Sequence, residues 1–348
     1  MLNKLFTLSI VLYPILSAYI VFGPIDLGVI LCALFGIGMY ISRRKKIKTP
    51  SLEGYYTFLI YVLLSALLVT HPVPLRILLY TFVLVMGCMF CNVSSLYYYY
   101  KKVAIGCIIF FIFQESVRLL LGVNIPGIFK FLPIVYGDSA TFIEEVVLGG
   151  DRASSFFLEP SYFAQFLFPL VVVELFWSKG PNSLRNAILL SVVLFLIRSG
   201  NEILLLGVIW IAWFFTSTVS RKKKRIVVLL GIICTIVLFS VKPIFIYELL
   251  NRTNELSLQG ADIRWQSSGF IRFFRGYYLY ASLPFINQLF GLNSGMLEDY
   301  MLSNSLGLFD NDTSFLNGAQ TILCLYGVFG LFFFFRHFWT EHQQPLLS

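Results

Sequence analysis

Between Leu5 and Phe335 the chain returns repeatedly to apolar runs close to the length of a membrane-crossing helix, and no other feature constrains its fold as tightly. A helix needs ~20 mostly apolar residues to traverse a hydrocarbon layer of ~30 Å. About ten runs meet that requirement, near residues 5–22, 25–42, 54–70, 75–91, 102–121, 158–177, 184–199, 201–219, 226–246 and 316–335. Hydrocarbon offers no partner to an unpaired N–H or C=O, so these runs must be helical. Composition agrees, with 58% hydrophobic and 13% charged residues and a mean hydropathy of +0.80, outside the range of water-soluble domains. The expected fold is all-α: a polytopic integral membrane protein of about ten transmembrane helices, forming a single transmembrane domain over 1–348. The first run lacks a small-residue cleavage site and is interrupted by Tyr13 and Pro14, so it reads as a retained span and not a removed signal peptide. The seventh and eighth runs are short and separated only by RSGN, which fits either a hairpin of full crossings or a re-entrant pair.

Orientation follows from basic clusters. Arg43 to Lys48, Lys101 with Lys102, Lys179 with Arg185, and Arg221 to Arg225 each follow an even-numbered run. With a cytoplasmic amino terminus all of them are inside, as the positive-inside rule requires. The cations left over, in spans or on the far side, are mostly arginine: Arg76, Arg118, Arg152, Arg198, Arg252, Arg264, Arg272 and Arg275, against Lys130 and Lys242. Guanidinium is always charged and its planar fork matches phosphate oxygens in pairs, so the outer face is suited to an anion. Pairing with outer acids or lipid headgroups explains any single arginine equally well.

Two outer segments are long enough to carry a site, loop 1 at about 122–157 and loop 2 at about 247–315, and they hold most of the acids. Long connections in compact proteins are usually functional. Within loop 2, DIRWQSSGFIRFFRGYYLY reads as an interfacial helix. At ~100° per residue Arg272 lies about 80° and Arg275 about 20° from Arg264, so the three share a face, with Trp265, Phe270, Phe274 and Tyr278 on others. The same pattern fits an amphipathic helix lying on anionic lipid.

Other chemistries find little support. The six cysteines all fall in or at the ends of apolar runs, which disfavours a disulfide framework, and the Cys88–Cys91 pair suits packing better than redox work. His71, His337 and His342 are scattered, and no metal or cofactor is expected. No Walker loop, nucleophile elbow or zinc-protease helix occurs. The YYYY run at Tyr97 to Tyr100, ahead of two lysines, reads as an aromatic belt with a cytoplasmic anchor. Nucleic acid is not an expected partner, because topology already accounts for the lysine-rich clusters.

Three segments carry a resemblance. RASSFFLEPSYFAQFLFP, from Arg152, resembles the signature of the bacterial O-antigen polymerase (Wzy) family, with an arginine, an aromatic pair and Glu-Pro-Ser opening a span after the first large outer loop. GFIRFFRGYYLYASLPFINQLFGLNSG is similar to that family's second large loop, where arginines precede Leu-Pro and Phe-Gly pairs. NGAQTILCLYGVFGLFFF resembles a closing span with Tyr-Gly-x-x-Gly. Members of the family usually continue through one or more further spans after the one matching 316–335. The related O-antigen ligases carry a histidine in the second large loop, and loop 2 has none, which argues against a ligase.

The resemblance implies a glycosyltransferase of the bacterial cytoplasmic membrane that joins repeat units carried on undecaprenyl pyrophosphate at the outer face. Its partners would be that lipid-linked glycan, membrane lipid, a chain-length regulator and a flippase. On physical grounds Arg152, Arg272 and Arg275 are candidates to stabilise the departing pyrophosphate, with Arg264 behind them. Glu159, Asp310 and Asp312 are candidates for a general base, and Glu159 serves equally well to orient Arg152. Ser161 and Gln165, one turn apart, can meet sugar hydroxyls. Phe156, Phe157 and Tyr162 can stack on sugars or line a groove for the lipid tail, although any membrane interface uses aromatics. The rival from another class is a polysaccharide flippase or similar transporter, which predicts charge buried at mid-membrane and symmetric halves.

Overall fold

Pro14 lies inside the first helix, which ends two residues beyond it, well short of the run's apolar limit at Phe22. In the computed structural model α1 is Leu2–Leu16, followed by a turn and a short antiparallel pair, β1 (Ile20–Phe22) and β2 (Ile25–Asp26). Asp26 then caps α2 (Leu27–Arg43), its Oδ1 accepting the Val29 N–H at 2.7 Å. The structure describes residues 2–22, 25–43, 53–68, 75–128, 132–133, 153–178, 180–217, 276–292 and 318–341, with short stretches at 219–220, 224–225, 229, 231, 296–297 and 299–300.

The remaining helices are α3 (Glu53–Leu68), α4 (Leu75–Phe90), α5 (Val93–Leu121), α6 (Pro160–Phe176), α7 (Ser183–Ile197), α8 (Gly200–Thr216), α9 (Phe285–Phe290) and α10 (Gly318–Glu341). Residues 276–282 form a further helical stretch. Among the described residues Val93–Leu121 and Gly318–Arg336 are long and apolar enough to cross a membrane. The other apolar helices are shorter, at 10–17 residues. Sequence reading expects spans of more even length; α5 exceeds expectation because it begins at Val93, with Asn92 accepting the Ser94 N–H at 2.9 Å, and absorbs the tyrosine run. It ends at Gly122, whose φ of 68° suits a residue without Cβ.

Contacts cluster into two units. The first comprises Met1–Pro50 and Leu75–Leu230. Its largest core joins Ile15 of α1, Ala104, Cys107 and Phe111 of α5, Phe163, Phe166, Leu167, Leu170 and Val171 of α6, Val193 and Ile197 of α7, and Leu206 of α8. A second core joins Phe6, Met39, Met86 and Phe90 of α1, α2 and α4. The outward faces are also apolar: Ile109 is 63% exposed, Leu189 59%, Ile211 61% and Phe215 78%. In water such apolar surface is unfavourable by about 25 cal/mol per Å², so these faces favour burial against lipid or protein.

The second unit comprises Ser51–Pro74 and Gly231–Ser348. Here α10 is broken at Gly327, at φ 66° and ψ −169°, and packs against α3 and α9. A Cβ on Gly327 would lie 2.2 Å from the Leu289 carbonyl oxygen, and one on Gly291 (φ 87°) would lie 2.1 Å from that of Leu325. Two glycines thus let two backbones touch. The break leaves the Tyr326 carbonyl to accept from the Tyr61 hydroxyl at 2.9 Å, while Leu292 N–H donates to the Cys324 carbonyl at 3.0 Å. The Phe-Gly and Tyr-Gly-x-x-Gly pairs singled out in the sequence are therefore the two halves of one contact.

Candidate functional site

A charged side chain surrounded by apolar helices must be paired or hydrogen-bonded, and where such groups gather they mark the functional candidates. In the first unit they gather at two opposite ends of the bundle. Glu115 and Arg118, one turn apart near the end of α5, are joined at 2.5 Å. The other Glu115 oxygen accepts the backbone N–H of Ala153 at 3.1 Å and lies 3.8 Å from Arg198, between α7 and α8. One carboxylate thus gathers two guanidinium groups and the residue that follows Arg152, leaving the cluster with a net positive charge.

The same loop is fixed by Gln114. Its Oε1 accepts the Ser155 N–H at 2.9 Å and its Nε2 donates to the Ile125 carbonyl at 2.8 Å. The Ser155 hydroxyl donates to the Cys107 carbonyl at 2.8 Å. These bonds hold Ser155 at φ 55°, a left-handed conformation that costs a side-chain-bearing residue about 1 kcal/mol. Gly127 completes the lock, since a Cβ there would fall 1.5 Å from the Ser155 carbonyl oxygen. Arg198 is also left-handed, at φ 61°, and closes the turn between α7 and α8. Gln114, Arg118, Asn124, Ala153 and Ser154 line a small, partly open pocket there.

At the other end Glu174 of α6, with a side chain only 1% exposed, meets Lys101 at 2.7 Å. Tyr97 donates to the same oxygen at 2.7 Å and Asn186 of α7 at 3.1 Å. Tyr100 donates to the Phe166 carbonyl. Half of the tyrosine run therefore clamps α6, whereas Tyr98 stays 52% exposed beside Lys102. Because α7 reaches from Asn186 at this end to Arg198 at the other, α7 and α8 form a helical hairpin, with Trp210 donating to Ser191 at 2.9 Å.

Of the residues singled out from sequence, Glu159 and Ser161 come together, the serine hydroxyl donating to the carboxylate at 3.0 Å. Glu159 occupies the amino-terminal cap of α6, and Pro160 takes the first helical position as its missing N–H allows. Tyr162 is 37% exposed and Gln165 is exposed on the same helix. Phe156 and Phe157 turn inward: Phe156 stacks on Phe110 at 4.4 Å, and Phe157 is 2% exposed against Phe163 and Phe166. Arg152, Arg264, Arg272, Arg275, Asp310 and Asp312 lie outside the described residues. Sequence reading missed Glu115 and Gln114, although QES at 114–116 is a polar interruption within an apolar run and marks the spot. Among the described residues no group of three His, Cys, Asp or Glu side chains is placed to hold a metal ion. No family model, curated protein or solved structure matches this chain.

Proposed function

We propose that this protein polymerises lipid-linked oligosaccharide repeat units, transferring the growing glycan from undecaprenyl pyrophosphate to an incoming unit at the outer face of the bacterial cytoplasmic membrane. The product would be an O-antigen, capsule or exopolysaccharide. In this reading the chain is multi-pass with its amino terminus inside. The end bearing Lys101, Lys102 and Arg185 then faces the cytoplasm, and the end bearing Arg118 and Arg198 faces outward.

The observation that carries the reading is the gathering of Arg118, Arg198 and the backbone after Arg152 around Glu115. A pyrophosphate leaving group gains negative charge in the transition state, and guanidinium groups held in place beforehand stabilise it without reorganising. An acceptor hydroxyl attacks the anomeric carbon, the bond from that carbon to the pyrophosphate oxygen breaks, and undecaprenyl pyrophosphate leaves with the electron pair. Arg152, Arg272 and Arg275 are assigned to that leaving group, with Arg264 in support. The hydroxyl proton passes to a carboxylate, for which Glu159, Asp310 and Asp312 are the candidates. Ser161, Tyr162 and Gln165 are assigned to the sugars.

The transporter alternative asks for charge at mid-depth. The buried carboxylates Glu174 and Glu202 instead lie in the last and first turns of α6 and α8. In cells, Arg152→Ala or Arg272→Ala is expected to leave the protein in the membrane while only single repeat units accumulate. Long polymer of normal length from both variants contradicts the site assignment.

A further inference from the structure

We infer that residues 276–292 form a re-entrant hairpin seated in the bilayer hydrocarbon beside α10, with its outward face against lipid acyl chains. The inference needs α10 to cross the membrane and does not depend on the polymerase reading.

Depth is the first support. The hairpin starts where Gly276 abuts Gln320, a Cβ at 276 falling 2.5 Å from the Gln320 Cβ, two residues inside the start of α10 at Gly318. It descends until the Leu289 carbonyl faces Gly327 and the Phe290 ring packs on Phe329 at 5.3 Å. It turns back as Gly291 and Leu292 meet Leu325 and Cys324. At 1.5 Å per residue, Gly327 lies about 14 Å below Gly318, close to half the ~30 Å hydrocarbon layer.

The surface is the second. Phe285 is 72% exposed, Ile286 69% and Phe290 49%. Through Phe290 and Phe329 this face runs on into the exposed flank of α10, where Val328 is 45% exposed and Phe332 60%. One continuous apolar surface on a membrane-crossing helix is covered by lipid.

Backbone satisfaction is the third. Irregular backbone survives at membrane depth only if its polar groups are paired within the protein. Gln288 Nε2 donates to the carbonyls of Ala281 and Leu283 at 3.2 and 2.9 Å, where the first helix stops. Tyr280 donates to the Gln288 carbonyl at 2.9 Å, Asn287 to that of Gly291 at 3.3 Å, and Tyr300 to that of Ser282 at 2.8 Å. A loop in water needs no such set of side-chain donors.

The test places the full chain in vesicles of phosphatidylethanolamine and phosphatidylglycerol. Nitroxide labels go on Phe285→Cys and Ile286→Cys, with Phe332→Cys as the reference, after the native cysteines are replaced by serine. Collisions with oxygen, which partitions into hydrocarbon, are expected to exceed those with a water-soluble nickel chelate severalfold at 285 and 286, as at 332. Nickel dominance at 285 and 286 overturns the inference, and so does suppression of both collisions, which marks a protein-covered face. On the unmodified chain, a carbene reagent dissolved in the lipid is expected to label peptides from 276–290 as heavily as those from 328–335. Label on α10 alone overturns the inference as well.

Discussion

Glu115 is the residue on which most of the geometry at the Arg118 end of the first unit depends. It answers two arginines and a backbone amide, so its loss takes the one carboxylate charge from between them. With side chains about a fifth exposed, water screens part of that cost, and Glu115→Gln is expected to destabilise the protein by about 2 kcal/mol, read as a lowered midpoint of thermal unfolding in detergent. If Glu115 holds the arginines for substrate, the same variant loses polymer length beyond what its folded fraction explains. Unchanged stability and unchanged polymer together refute the role given to it. The polar break at 114–116 marks the place but not the role of Glu115, because i, i+3 pairs of opposite charge are common on helices. Its importance comes from Ala153 and Arg198, which are distant in sequence and reach it only once α6 and α7 have packed. Arg152 is the opposite case: type and context single it out as a candidate, while its position lies outside the described residues.

At the scale of elements, the glycine pair and the charged clamp make separate predictions. Gly327→Ala and Gly291→Ala each force a Cβ onto a carbonyl oxygen at a positive φ. Each is expected to cost about 3 kcal/mol, and because both act on one contact the double variant should cost less than the sum. Additive losses in a denaturation cycle would show that the two glycines act independently. For the clamp, Glu174→Ala strands Lys101 and is expected to cost about 2 kcal/mol, less than a fully buried pair because Lys101 is 36% exposed. The double variant Lys101→Met with Glu174→Leu is expected to recover at least half of that loss. The helices α1 to α8 and α10 coincide with apolar runs, whereas α9 and the 276–282 stretch fall in the segment expected to be a loop, and the run at 226–246 lies almost wholly outside the described residues. Helix ends are less legible than the runs: α1 stops early after Pro14 and α5 starts early at the Asn92 cap, both local effects that a hydropathy window averages away. The pairing of Phe290-Gly291 with Tyr326-Gly327 was visible only as two separate motifs, because close approach of backbones is a tertiary fact.

For the whole molecule, the arrangement in the first unit separates two chemistries. Along α5 the Lys101 and Glu115 clusters are about 21 Å apart, with apolar core between them. One end anchors helices through a buried ion pair; the other presents arginines beside a loop locked by Gln114 and Ser155. In the polymerase reading that division sets a structural end against a substrate-facing one, and the lipid-linked donor approaches from the bilayer with its pyrophosphate at the arginine-bearing surface. The most direct measurement supplies the purified protein in vesicles with lipid-linked repeat units and no other protein, and resolves the products by glycan length. A ladder of multiples of the repeat, lost in Arg152→Ala, is the predicted result. Repeat units that cross the bilayer while staying single contradict the account and identify a transporter.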